Sequence, residues 1–211
     1  MKAENYDVVI AGAGSVGVPI AMNLAEKGLS VLCIDSAPSA GQGNNKCAIG
    51  GARATHSEPA KVILGLRSLE IFRNWKEEYG DEIGWYQGGY TYVAYDEATM
   101  DIFRSNVPLQ RKAGLDIRLV DPEKIMELVP GIEPEGLLGG TWSPSDGSAS
   151  PMESCYAFFE RAVGLGARFN FRETVTDLKT QGSKVVSVVT GRGEYGCGSF
   201  VNCAGSFAAE V

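Results

Sequence analysis

Residues 6–35 read YDVVIAGAGSVGVPIAMNLAEKGLSVLCID. Asp7 to Ala11 is a short apolar run rich in β-branched residues, the pattern of a strand buried on both faces of a parallel sheet. Gly12, Gly14 and Gly17 follow at G-x-G-x-x-G spacing. Ile20, Ala21, Leu24 and Ala25 then repeat with helical period, and Gly28 ends that helix. Ser30 to Ile34 is a second buried strand, closed by Asp35. In such an order Gly12 makes the tight turn, Gly14 lets the backbone approach a pyrophosphate, and Gly17 packs helix on strand. The helix start, with Ser15 and Val16, offers free N–H groups to the anion. Asp35 accepts hydrogen bonds from the two hydroxyls of an adenosine ribose and repels a 2′-phosphate. The stretch predicts a Rossmann-like dinucleotide-binding unit; the alternative is a glycine-rich turn in another α/β protein. Pro19, just inside the helix, predicts a slight kink or a loosened first turn.

A nicotinamide-type domain would continue with a helix and a third parallel strand. Residues 36–57, SAPSAGQGNNKCAIGGARATHS, are instead irregular and polar. Gly41, Gly43, Gly50, Gly51, Asn44, Asn45, Lys46 and Arg53 suit a segment laid along an extended anionic cofactor. A mobile surface loop is the other reading. Pro59 to Tyr79 is an amphipathic helix, capped by Ser57, with Val62, Leu66, Leu69 and Phe72 as its buried stripe and Gly80 after its end. Tyr90 to Tyr95 alternates as a strand, so Tyr90 and Tyr92 share a face that lines a pocket or serves a core. Asp96 to Ala113 reads as a helix interrupted near Pro108, Asp121-Pro122 starts a short helix that Pro130-Gly131 ends, and Gly136 to Trp142 reads as a strand.

Ser150 and Glu153 form a capping-box pattern at the head of a helix that runs to about Leu165. Ala167 to Phe171 is a strand. Thr174–Lys179, Lys184–Val189 and Glu194–Cys197 have the spacing of a three-stranded antiparallel meander, and Ser199–Asn202 is a last strand leading into Ala204-Gly205. The expected fold class is α/β: a Rossmann-like domain with an antiparallel meander, plus part of an inserted α+β substrate lobe. Its division is 1–80, 81–147 for the lobe, and 148–211.

The 211 residues are ample for one large domain or two small ones. A net charge of −7, a single histidine and the lack of any basic stripe argue against a nucleic-acid surface. The five cysteines (Cys33, Cys47, Cys155, Cys197, Cys203) include no C-x-x-C pair. They read as reduced, buried thiols without metal-ligand spacing. Lys2 and Glu4 lead straight into the first strand, leaving no room for a signal peptide, and no apolar run is long enough to span a bilayer. A soluble, cytoplasmic protein without a metal site is expected.

The glycine fingerprint with Asp35, KCAIGGARATHSEP (46–59), PSDGSASP (144–151), the meander from Thr174 and VNCAGSFAAEV (201–211) together resemble one family. The chain looks like the N-terminal half of the D-amino-acid-oxidase-type FAD-dependent oxidoreductases, which include sarcosine oxidase, glycine oxidase and related amine dehydrogenases. The resemblance implies that Gly12, Gly14, Ser15, Val16, Gly17 and Asp35 hold the ADP part of FAD. It places Asn45 and Lys46 at the pyrophosphate and ribityl chain, the Val175 backbone at adenine, and Ala204 and Gly205 in a small-residue turn close to the cofactor. Gly50 to Arg53, Gly51 included, would lie beside the isoalloxazine ring. Arg53 falls near an arginine that binds the substrate carboxylate in some members, a pairing suited to its planar fork. A surface or phosphate-neutralising arginine is the other reading. His56, at a helix start, reads as a capping or surface residue, and no catalytic residue is assigned.

Members of this family continue beyond the point where this chain stops. The resemblance therefore implies a C-terminal half, or a second polypeptide, that completes the substrate lobe and adds a flavin-binding strand and helix. The function it implies is oxidation of the C–N bond of an amine or amino acid, such as sarcosine, an imino acid or a D-amino acid. A hydride would pass to the flavin and the imine would hydrolyse. One rival is a chain that binds FAD or a partner and catalyses nothing alone. The other is an NAD-linked dehydrogenase, against which the long loop and the meander argue.

Overall fold

The computed structural model describes residues 4–211. In chain order the first elements are β1 (Glu4–Ala11), α1 (Gly17–Glu26), β2 (Val31–Asp35), β3 (Gly51–Ala52), α2 (Pro59–Tyr79), β4 (Tyr90–Ala94) and α3 (Glu97–Lys112). They are followed by β5 (Arg118–Val120), α4 (Pro122–Leu128), β6 (Gly139–Ser143), β7 (Gly147–Ser148), α5 (Pro151–Gly164), β8 (Arg168–Phe171), β9 (Val175–Gln181), β10 (Lys184–Thr190) and β11 (Gly193–Asn202). Short 3₁₀ turns lie at Asn44–Cys47 and Gly205–Glu210. The segment after Asp35 is therefore not wholly irregular. Two compact units result: the residues up to Ile49 with Pro151–Val211, and Gly50–Ser150. The sequence division sets its boundary at 80/81 instead. The difference is the long helix α2, whose Val62 and Leu69 share a core with Ala54, Val107, Leu115 and Ile117.

In the first unit a six-stranded sheet has the order β8-β2-β1-β11-β10-β9. The strands β8, β2, β1 and β11 are parallel, while β10 pairs antiparallel with both β11 and β9. Val9, Ala11, Leu32 and Ile34 join Val175 and Val188 in one core. Val8, Ile10, Val31 and Cys33 alternate with them and are buried too, so β1 and β2 are covered on both faces, as their apolar runs predict. Pro19 leaves the first turn of α1 regular, with Val18 N donating to Gly14 O at 3.1 Å and Ile20 N to Val16 O at 3.2 Å. Its missing donor falls where helices have unpaired donors anyway.

The meander and the last strand are not separate. β11 is continuous from Gly193 to Asn202; its first residues pair with β10, and the strand from Tyr195 onward runs beside β1. Gly198 permits this closeness, since a Cβ there would stand 2.9 Å from the Asp7 carbonyl oxygen of β1. A glycine that reads as a break in isolation is an accommodation to the neighbouring strand.

The second unit holds the antiparallel sheet β4-β6-β5 and the small pair β3-β7. β5 and β7, of 3 and 2 residues, are too short to carry a period and are absent from the sequence reading. β6 starts later than expected, at Gly139, whose φ is +127°. The head of α2 is Glu58 with no side-chain cap, so Ser57 lies one residue outside. Its buried residues are Val62, Leu69 and Trp75, while Leu66 and Phe72 are half-buried. α3 runs unbroken through Pro108, which lies between the buried Val107 and Gln110. Among the described residues no helix is long and apolar enough to cross a membrane.

Candidate functional site

In the first unit the carboxyl ends of the parallel strands bring most of the cofactor candidates together. Gly12 leaves β1 with φ +103°, and a Cβ on it would overlap the Cys203 carbonyl. Cys203 N donates to Ala11 O at 2.7 Å, which sets Ala204 and Gly205 directly after the turn. A Cβ on Gly17 would overlap the Gly12 carbonyl, so helix α1 sits as close to its strand as backbone allows. Gly14 differs from both, because a Cβ on it would meet nothing within 4 Å. Ser15 and Val16 are exposed beside it, and α1 begins with no side-chain cap. This is open ground above unpaired helix donors, the arrangement that accepts a phosphate.

Asp35, half-buried at the end of β2, is held by two backbone donors. Its Oδ2 accepts from Ala13 N at 2.6 Å and its Oδ1 from Ala37 N at 2.7 Å. Each carboxylate oxygen keeps a further lone pair for a ribose hydroxyl. Val175 is buried at the start of β9. Just before it, Arg172 N donates to Ala37 O at 2.9 Å and Glu173 N to Asp35 O at 3.1 Å. The loop after β2 is tied down as well, with Gly41 N donating to Ala13 O at 2.9 Å. Asn45 turns its amide inward, donating to Pro151 O at 2.8 Å, so its side chain supports the loop; Lys46 is exposed. An ADP moiety fits this set: an open glycine approach, helix donors and a pre-oriented acid.

In the second unit Arg53, Tyr90 and Tyr92 meet. The Arg53 guanidinium carbon lies 5.7 Å from the Tyr90 ring centre and 5.4 Å from that of Tyr92, within cation–π range. Its Nη1 donates to Thr55 O at 2.8 Å, leaving other donors of the fork for a ligand. Gly51 lies close by, since a Cβ there would be 3.1 Å from Tyr90 Cε2. Burial pushes the Tyr92 phenol above its ordinary value, and the Arg53 charge opposes that. The segment is anchored by Asp146, a fully buried carboxylate that accepts from Ala54 N at 3.0 Å and Thr55 Oγ1 at 2.6 Å. The sequence reading gives Asp146 no role of its own; it lies in the stretch 144–151 that enters only as part of the family resemblance. Arg53, His56, Lys61, Leu64, Ser68 and Phe72 are among the residues that line a cavity of about 430 Å³. The His56 carbonyl accepts from Gln110 Nε2 at 2.9 Å.

The cysteines divide. Cys33 and Cys155 are buried; burial pushes the Cys155 thiol up to about 11 and raises that of Cys33 as well. Cys47 is exposed, against the expectation of buried thiols, because its 3₁₀ turn has no buried residue. Among the described residues no group of His, Cys, Asp and Glu side chains is placed to hold a metal ion.

The family described as DAO, FAD dependent oxidoreductase, matches residues 7–211. L-proline dehydrogenase from P. horikoshii superposes with a TM-score of 0.91 at 30% identity, over 98% of this chain and 55% of that one. Human mitochondrial dimethylglycine dehydrogenase is 27% identical over 99% of this chain and 24% of its own length. Glycine oxidase of Geobacillus kaustophilus is 26% identical over 99% of this chain and 56% of its own. The chain thus spans between about a quarter and about half of the relatives it matches.

Proposed function

Because the chain belongs to the DAO family of FAD-dependent oxidoreductases, we propose that it carries the cofactor-binding part of an amine or amino-acid oxidoreductase. The observation that carries this reading is the glycine turn, where Gly12 and Gly17 are packed against backbone while Gly14 is open, beside a carboxylate already aimed by two N–H groups. Gly12, Gly14, Ser15, Val16, Gly17 and Asp35 would hold the ADP part. The Val175 backbone would face adenine, Asn45 and Lys46 would meet the pyrophosphate and ribityl chain, Ala204 and Gly205 would pass close to the cofactor, and Gly51 would lie beside the isoalloxazine ring. Bound FAD would supply the hydride acceptor for the carbon next to the substrate nitrogen, and the imine so formed would hydrolyse.

The chain's own contribution is binding and orientation. Arg53 would pair bidentately with a substrate carboxylate, its guanidinium held by Thr55 O and two tyrosine rings. Tyr90 and Tyr92 would exclude water from that pair and strengthen it. Small amino acids, including N-methyl, imino and D-amino acids, fit such a group, and the names of the relatives point the same way. The free cysteines suit a reducing compartment, the cytoplasm in this reading; the mitochondrial address belongs to the human relative.

The test is the visible spectrum of the purified chain after incubation with FAD and desalting, followed by an amine and amino-acid screen with a dye acceptor. A retained flavin band with dye reduction is the expected result. Retained flavin with no turnover would favour the second reading, a non-catalytic chain that needs another polypeptide. That reading draws on the length of the relatives. A folded, colourless protein that also fails to bind ADP would overturn the cofactor assignment.

A further inference from the structure

Glu173 is a carboxylate that neither the glycine fingerprint nor the substrate cluster uses. It is 3% exposed, and few acids are buried so deeply without a task. Its Oε1 accepts from Thr190 Oγ1 at 2.6 Å and from Tyr195 OH at 2.9 Å. Its Oε2 faces Arg192 Nη1 at 3.6 Å and accepts no hydrogen bond. Tyr195 OH also accepts from Asn170 Nδ2 at 3.0 Å. Thr190 Oγ1 in turn accepts from the backbone N–H groups of Arg192 and Gly193, at 3.1 and 3.2 Å, in the turn between β10 and β11. The side chain is thus bolted to one hairpin.

Its backbone belongs to another part of the unit. Glu173 N donates to Asp35 O, and the preceding Arg172 N donates to Ala37 O. Arg172 is the one non-glycine residue among those described with positive φ, at +54°. That conformation costs about 1–2 kcal/mol and persists only where the surroundings enforce it. Here Arg192 Nη2 donates to the Arg172 carbonyl at 3.0 Å, and the side chain of the next residue, Glu173, is held by Thr190. A continuous set of hydrogen bonds therefore runs from the β10–β11 turn through Glu173 to the Asp35–Ala37 turn. From there the Asp35 carboxylate reaches Ala13 of the glycine turn.

We propose that Glu173 is the positioning residue of the dinucleotide site: it holds the Asp35–Ala37 turn and the approach to Val175 in register with the glycine turn. The proposal rests on the reading above only in taking the ligand to be the ADP part of FAD. Glu173 itself touches no ligand. It fixes the direction of the acid that would meet the ribose and of the backbone that would meet adenine.

The test is residue-resolved amide hydrogen exchange on the whole chain, comparing the parent with Glu173→Ala, Glu173→Gln and Thr190→Val. Removing a buried acceptor of two hydroxyls should speed exchange at Ala13, Ala37 and Glu173 by at least about tenfold, with Val9 and Leu32 unchanged. Gln keeps an acceptor for both hydroxyls, so it should stay within about threefold of the parent, and Thr190→Val should fall between. Unchanged exchange at the three amides overturns the proposal. Uniform acceleration at all sites does so as well, because it marks a merely structural acid. If Glu173→Ala does not fold, the Thr190→Val and Glu173→Gln pair decides on the same amides. A parallel ADP titration separates the two ideas. A parent that binds no ADP overturns the cofactor reading and leaves the exchange result to decide on Glu173. A parent that binds should lose at least about tenfold in ADP affinity in Glu173→Ala but not in Glu173→Gln.

Discussion

Gly12 and Gly14 stand two positions apart in one turn and answer to different constraints. Gly12 has φ +103° and the Cys203 carbonyl where a side chain would go, so it is fixed by folding. Gly14 has neither a positive φ nor a neighbour within 4 Å, so its bareness serves whatever approaches from outside. Gly12→Ala should therefore cost at least about 3 kcal/mol, combining a left-handed penalty with a backbone clash, and appear as a large drop in Tm. Gly14→Ala should leave Tm within about 2 °C while weakening ADP or FAD binding by at least about tenfold. Equal losses of stability in the two variants would refute the distinction. At this scale the sequence was most readable where spacing itself encodes the chemistry, as in the three glycines and Asp35. Asp146 and Glu173 are single acids near strand ends. Their importance comes from partners 91 and 17 residues away, which no local pattern announces.

Elements were readable in proportion to their length and to how little they owe to neighbours. β1, α1, β2 and α5 follow from periodicity and punctuation alone. β11 does not, because Gly198 satisfies the backbone of β1 and looks like a stop when β1 is out of view. Pro108 misleads in the opposite sense. It suggests a break, yet α3 continues because Val107 and Gln110 are buried on either side and hold the helix together despite the lost donor. Pro108 is itself exposed, so Pro108→Ala should restore a hydrogen bond without disturbing the core. The expected gain is about 1–3 kcal/mol, or roughly 2–12 °C in Tm by thermal unfolding. A lower Tm would mean that the proline stabilises the helix through contacts of its own.

For the molecule as a whole, Gly50–Ser150 interrupts a unit whose sheet is built entirely from the flanking segments. The interruption begins and ends at one point, since Ala149 N donates to Gly50 O at 2.9 Å. Replacing 50–150 by a short Gly-Ser linker should therefore leave a chain that still melts cooperatively by circular dichroism. Loss of any cooperative transition would show that the first unit depends on the second. The composition gave the size of the molecule but not this arrangement, because nothing in the segment 50–58 marks a change of allegiance.

The pairing of β1 with β11 sets a timetable for biosynthesis. Ala11 is made well before its partner Asn202, which lies 191 residues further along the chain. At about 5–20 residues per second, roughly 10 to 40 seconds separate them. During that interval β1 and β2 can pair with each other, while the other edge of β1 stays open. The contiguous segment 50–150 is free to fold meanwhile. The glycine turn gains its Cys203 wall only after that whole interval has passed. Nascent chains stalled before residue 193 should thus present an unpaired, apolar strand edge, the kind of surface that holdase chaperones retain.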